Sequence, residues 1–143
     1  MNQLSSETIH ATCIAIQGRA VLIEGASGSG KSDLALRLID RGASLVSDDY
    51  TLVQRRDGQV MASAPDRIAG RIEVRGVGIV DMPFVAGVPV AMTVQLHAQP
   101  PRLPDENRRH LLGTTLPVLV LNPFEQSAPI KVELAVRQLI AAQ

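Results

Sequence analysis

Residues Gly25 to Ser32, GASGSGKS, fit the pattern G-x-x-x-x-G-K-[ST] at every fixed position. Glycines let such a loop take up positive φ, so that successive backbone N–H groups converge on phosphate oxygens. Lys31 adds a mobile cation for the β and γ phosphates, and Ser32 offers a hydroxyl to Mg²⁺. A helix starting there points its positive end at the anion. The expected phosphate-binding segment is therefore Gly25, Ala26, Ser27, Gly28, Ser29, Gly30, Lys31 and Ser32.

Such a loop needs a strand before it and a helix after it. The run Ala20-Val21-Leu22-Ile23 within Arg19 to Glu24 predicts a short buried strand. From Lys31 to Arg41, Leu34, Ala35, Leu38 and Ile39 define one apolar helix face, with Asp33 and Arg37 as an i, i+4 pair outside it. Gly42 stands where a helix end favours glycine.

A chain of 143 residues predicts one domain with a full core. Lys+Arg and Asp+Glu are balanced at 14 each, so no overall field recruits nucleic acid or an acidic membrane. One Tyr, two Phe and no Trp argue against a platform for single-stranded nucleic acid. The single Cys13 excludes an internal disulfide or a Cys-rich zinc site and reads as a buried strand residue. That fits a reducing cytoplasm. No apolar run reaches the roughly 18 residues of a spanning helix, and MNQLSSETIH lacks the features of a signal peptide.

In chain order, residues 9 to 16 (IHATCIAI) predict a strand paired with 19–24 across Gln17-Gly18. His10 lies near its start; a lone strand histidine is usually a surface or satisfied core residue and less often a functional one. Ala43 to Ser47 predicts a short strand ending in Asp48-Asp49, 17 and 18 residues beyond Lys31. Acids at the C-terminal end of a buried strand sit where α/β proteins place ligands. There they can hold Mg²⁺ or accept a proton from an attacking hydroxyl. Successive strand residues face opposite ways, which predicts different tasks for the two.

Asp57-Gly58 predicts a hairpin between 50–55 and 59–64, and hence a mixed sheet. Gly70 to Asp81 (GRIEVRGVGIVD) reads as one strand-like stretch with Glu73 and Arg75 on one face. Strands are expected at 88–96 and 116–121, with 102–113 mostly loop or short helix. A closing amphipathic helix is expected at 130–142, with Val132, Val136, Leu139 and Ile140 inward and Glu133 paired to Arg137.

Taken together, IHA at His10, GASGSGKS, RGASLVSDD ending in Asp49 and EVRGVGI from Glu73 resemble, in the same order, the signatures of the HPr kinase/phosphorylase family's C-terminal catalytic domain. The resemblance spans nearly the whole chain and implies a minimal catalytic domain without the N-terminal domain of longer members. It also implies an α/β fold, a P-loop-containing mixed β-sheet with flanking helices, related to the nucleotide-binding architecture of PEP carboxykinase. By that likeness the chain is an ATP- and Mg²⁺-dependent protein serine kinase acting on the phosphocarrier HPr, cytoplasmic and hexameric. Many members also reverse the step by phosphorolysis.

The resemblance assigns Lys31 to the transferred phosphate, Ser32 and Glu73 to Mg²⁺, and Asp49 to the proton of the serine. It makes Asp48 the support of Asp49 or the metal, and His10 a neighbour in the site. A looser match over 101–123 makes Arg102 an active-site arginine. Three departures stand out: Ala26 replaces the usual Asp, Ala11 replaces a glycine, and Asn122-Pro-Phe-Glu-Gln-Ser replaces the RPGRN loop tied to dephosphorylation. Two alternatives accompany this expectation. One is an ATP-binding regulatory module that has lost turnover, and the other is a P-loop kinase with a different acceptor.

Overall fold

The computed structural model describes residues 5–102 and 108–143. Eleven strands and two α-helices follow in the order β1 (Ser6–Ile9), β2 (Thr12–Ile16), β3 (Arg19–Glu24), α1 (Lys31–Asp40), β4 (Ser44–Ser47), β5 (Thr51–Arg56), β6 (Gln59–Ser63), β7 (Arg71–Val74), β8 (Gly78–Asp81), β9 (Val88–Leu96), β10 (Arg108–Leu111), β11 (Thr114–Leu121) and α2 (Ala128–Ala141).

The main sheet runs β1-β5-β6-β9-β3-β2-β4, with β11 also paired to β9 and β10 to β11. It is mixed: β3 and β11 lie parallel to β9, and the other pairs are antiparallel. Side chains alternate across it. On β3, Val21 and Ile23 face a core shared with Leu34 and Leu38 of α1 and with Val132 and Val136 of α2. Ala20 and Leu22 face a second core built from Cys13, Val46, Val53, Val60, Leu111 and Leu116, to which neither helix contributes. The sheet therefore curls on itself, with both helices packed on its outer side. Burial pushes the Cys13 thiol pKa up.

Several expected elements form as read. Gln17-Gly18 and Asp57-Gly58 all have positive φ and close the β2–β3 and β5–β6 hairpins. Gly42, at φ 112°, ends α1: its amide and that of Ala43 bond the carbonyls of Ile39 and Leu38, each at 3.0 Å.

Four expectations are corrected. The first strand is two, broken at His10-Ala11, so His10 sits on a bend. Gly70 to Asp81 is a separate hairpin, β7–β8, and Arg75 lies in its turn, off the strand face that carries Glu73. Instead of loop or short helix, residues 108–111 form β10 against β11. Finally, Glu133 bonds Arg41, the C-cap of α1, at 2.9–3.1 Å in place of Arg137, because it faces the neighbouring helix end and meets a planar two-donor fork there.

Candidate functional site

The registers explain why distant residues meet. Antiparallel pairing puts Thr12 opposite Ile23 and Cys13 opposite Ser47, and Ile9 opposite Thr51. The exits of β3 and β4, the start of β2 and the bend at His10 thus share one edge of the sheet. β9, parallel to β3, ends at that edge too. Ligands of α/β proteins bind at such an edge.

At the end of β3 the Gly25–Ser32 loop folds back into α1. A Cβ on Gly25 would stand 2.5 Å from Ser29 Oγ and 3.3 Å from Leu96 Cβ, so a side chain here would displace the Ser29 hydroxyl. Ala26, Ser27 and Gly28 form its exposed tip. Gly30, at φ 101°, is the N-cap of α1, and no side chain caps the helix. Lys31 is buried, its Nζ resting on the carbonyls of Gly25 at 2.8 Å and Ala26 at 3.0 Å. Ser29 Oγ is buried without a hydrogen-bond partner among the described residues. An uncapped helix start, an inward lysine and an unsatisfied hydroxyl together suit a bound polyanion.

Asp48 and Asp49 leave β4 in opposite senses. Asp48 is buried, only 7% exposed, and its carboxylate gathers three donors. Ser32 Oγ donates to Oδ1 at 2.6 Å and Thr12 Oγ1 to the same oxygen at 3.1 Å, while the Glu73 backbone N–H donates to Oδ2 at 2.9 Å. One carboxylate thereby holds both residues expected at the metal, Ser32 and Glu73. Asp49 has φ 69° and an exposed side chain, 3.0 Å from His10 Nε2. The His10 ring packs at a centroid distance of 5.2 Å from Tyr50.

Thr12 was not among the expected site residues, yet it joins the two acids. While donating to Asp48 it accepts the Asp49 backbone N–H at 3.1 Å. Its one sequence signal is a hydroxyl in an otherwise apolar strand. Behind the loop, Arg109 of β10 grips Glu24 of β3 through three hydrogen bonds of 3.1–3.3 Å. Arg102 stands apart from the acids. It is exposed and lines a cavity of about 480 Å³ between α2 and β11, with Met92, Leu119 and Leu134.

Among the described residues no three His, Cys, Asp or Glu side chains converge on a metal position. The donors present suit a Mg²⁺ that arrives with phosphates, since that ion is held by one or two protein oxygens and completes its shell with phosphate and water.

The family model for the HPr Serine kinase C-terminal domain matches residues 2–97. An HPr kinase/phosphorylase of Clostridium tetani is 38% identical over 94 residues, covering 65% of this chain and 31% of that protein. One from Brevibacillus brevis is 38% identical over 128 residues, covering 80% of this chain and 41% of that protein. The chain thus spans well under half the length of these relatives. Among solved structures, the Hpr(Ser) kinase/phosphatase from Coxiella burnetii superposes with a TM-score of 0.83 at 30% identity, covering 95% of this chain and 92% of that one. Matched in sequence over most of its length and in fold over nearly all of it, the chain belongs to the HPr kinase/phosphorylase family, through that family's C-terminal domain.

Proposed function

We propose that this chain is a P-loop protein kinase domain that transfers the γ-phosphoryl group of ATP to a serine of the phosphocarrier HPr. The observation that carries the reading is Asp48, which links Ser32 at the phosphate loop to Glu73 and, through Thr12, to Asp49. Phosphoryl transfer needs positioning and charge neutralisation above all, and this network fixes a cation site and a proton acceptor relative to one another.

In this reading the phosphates lie on the Gly25–Ser32 amides and Lys31 leaves its two carbonyls for them. Ser32 and Glu73 would hold Mg²⁺, which would supply neutralisation of phosphate charge. The serine oxygen attacks the γ phosphorus while the bond to the β-phosphate oxygen breaks and ADP departs. Asp49, oriented by His10, takes the serine proton. The acceptor role of Arg102 rests on the resemblance alone, since its side chain lines the cavity between α2 and β11. The likeness of the family members also supports an oligomer, with a hexamer as the specific proposal. No helix among the described residues is long and apolar enough to cross a membrane, and a cytoplasmic kinase is proposed.

Incubating the chain with γ-labelled ATP, Mg²⁺ and HPr tests this directly. Label on an HPr serine is expected. ATP bound without any transfer would leave the regulatory-module reading, and label on a different acceptor alone would leave a kinase of other specificity. The loop 122–127, Asn-Pro-Phe-Glu-Gln-Ser where the family has RPGRN, lacks that loop's two arginines and favours the forward direction. With serine-phosphorylated HPr and inorganic phosphate, rapid pyrophosphate formation would overturn that preference.

A further inference from the structure

The segment after β11 lies against the phosphate loop. A Cβ on Gly30 would stand 3.3 Å from Pro123 Cγ and 3.5 Å from Phe124 Cε1. Pro123 is buried at this contact, but Phe124 is 73% exposed. In a chain with two Phe, one Tyr and no Trp, a phenyl ring left in water forgoes burial that the core would reward.

The backbone beneath the ring is firmly tied. Arg37 of α1 donates to the Pro123 carbonyl and, at 3.3 Å, to that of Glu125. Asn122 Nδ2 donates to the Ala98 carbonyl at 3.1 Å, and its Oδ1 accepts the Phe124 N–H at 2.9 Å. These bonds fix the position of the ring without covering it. A rigid, solvent-facing π-surface results, beside the start of α1.

We propose that Phe124 is the stacking platform for the nucleoside base of the nucleotide whose phosphates occupy the Gly25–Ser32 loop, an inference that rests on the nucleotide-binding reading above. The base must emerge from the loop on its ribose tether, and Phe124 is an exposed ring beside that loop at Gly30. The polar side chains flanking the ring on its own segment are committed elsewhere: the Asn122 amide at both ends, and Glu125 Oε2 to Lys131 Nζ at 2.7 Å. The platform therefore meets the face of a base and not its hydrogen-bonding edge, so adenine and guanine nucleotides bind comparably.

Calorimetric titration of the full chain with Mg-ATP, Mg-GTP and inorganic tripolyphosphate tests this, using wild type, Phe124→Leu and Phe124→Tyr. Leucine keeps an apolar contact on Gly30 and removes the π-face. Phe124→Leu is expected to weaken ATP and GTP binding about tenfold, as for one lost base stack, and to leave tripolyphosphate binding unchanged, with Phe124→Tyr near wild type. Unchanged ATP affinity in Phe124→Leu overturns the proposal, as does an equal loss for tripolyphosphate, which would mean the ring acts only through the loop. A changed sedimentation coefficient with unchanged ATP affinity also overturns it and makes the ring a contact between copies. Wild type that binds tripolyphosphate as tightly as ATP removes the platform alone. Wild type that binds neither removes the nucleotide reading with it.

Discussion

Asp48 and Asp49 are adjacent in the chain and opposite in construction. Asp48 is buried and accepts hydrogen bonds from three elements, β2, α1 and β7. Asp49 is exposed, sits in the left-handed region and holds one side-chain partner, His10. A carboxylate held by three donors is fixed in place and organises its neighbours, whereas one with open oxygens can meet an incoming hydroxyl. Burial thus divides the pair into a fixed hub and an accessible carboxylate, the one proposed as base.

The sharpest way to break this division is Asp49→Asn. Asparagine tolerates the left-handed conformation, so the backbone is kept while the proton acceptor is lost. Turnover with HPr should fall about 10²- to 10⁴-fold, with ATP binding retained and unfolding free energy changed by no more than about 0.5 kcal/mol. Near-normal kcat would mean that the base lies elsewhere.

Asp48→Asn should do the reverse, acting first on the fold. An amide has one acceptor end, so either the Glu73 N–H or the two hydroxyls face a donor. Urea denaturation should show a loss of about 1–3 kcal/mol, the cost of leaving a buried group unsatisfied. Unchanged stability would show that the hub is not structural.

That hub explains what the sequence could and could not reveal. Local patterns sufficed for β3, α1 and the Asp57-Gly58 turn, because apolar periodicity and turn chemistry act within a few residues. β10 was missed since Arg108, Arg109 and His110 carry no apolar alternation, its pairing being signalled only by Leu112-Gly113, both with positive φ. The alternation of β7 runs through its turn into β8, so only the glycines marked the break. Asp48 reaches residues 16, 25 and 36 positions away. No spacing rule connects these: the phosphate-loop motif and the strand end put Ser32 and the acids in one expected site, the resemblance added Glu73, and Thr12 was left out.

Thr12→Val tests the joint between the two acids. Valine matches the shape of threonine but lacks its hydroxyl, leaving the Asp49 amide without its acceptor, while Asp48 keeps Ser32. A stability loss of about 1–2 kcal/mol is expected, with kcat falling more than KM for ATP rises, and Thr12→Ser should recover both. If KM and kcat change in proportion to lost folded protein alone, Thr12 is a core residue and the acids are independent.

His10 should give the smallest effect on stability and the finest distinction. Its contact with Asp49 joins side chains 38% and 58% exposed, and solvent leaves such a pair worth about 0–1 kcal/mol. His10→Ala should therefore barely move the unfolding midpoint, yet lower kcat up to about fivefold by freeing the Asp49 carboxylate to rotate. His10→Gln separates two causes. The glutamine amide can donate to Asp49 as Nε2 does but carries no charge, so recovery of kcat means that His10 acts by orientation. If glutamine fails to restore kcat and the wild-type advantage shrinks with added salt, the imidazolium charge is what matters. Asp49 would then be held as one member of an ion pair, and its contrast with the hydrogen-bonded Asp48 would rest on electrostatics as well as on exposure.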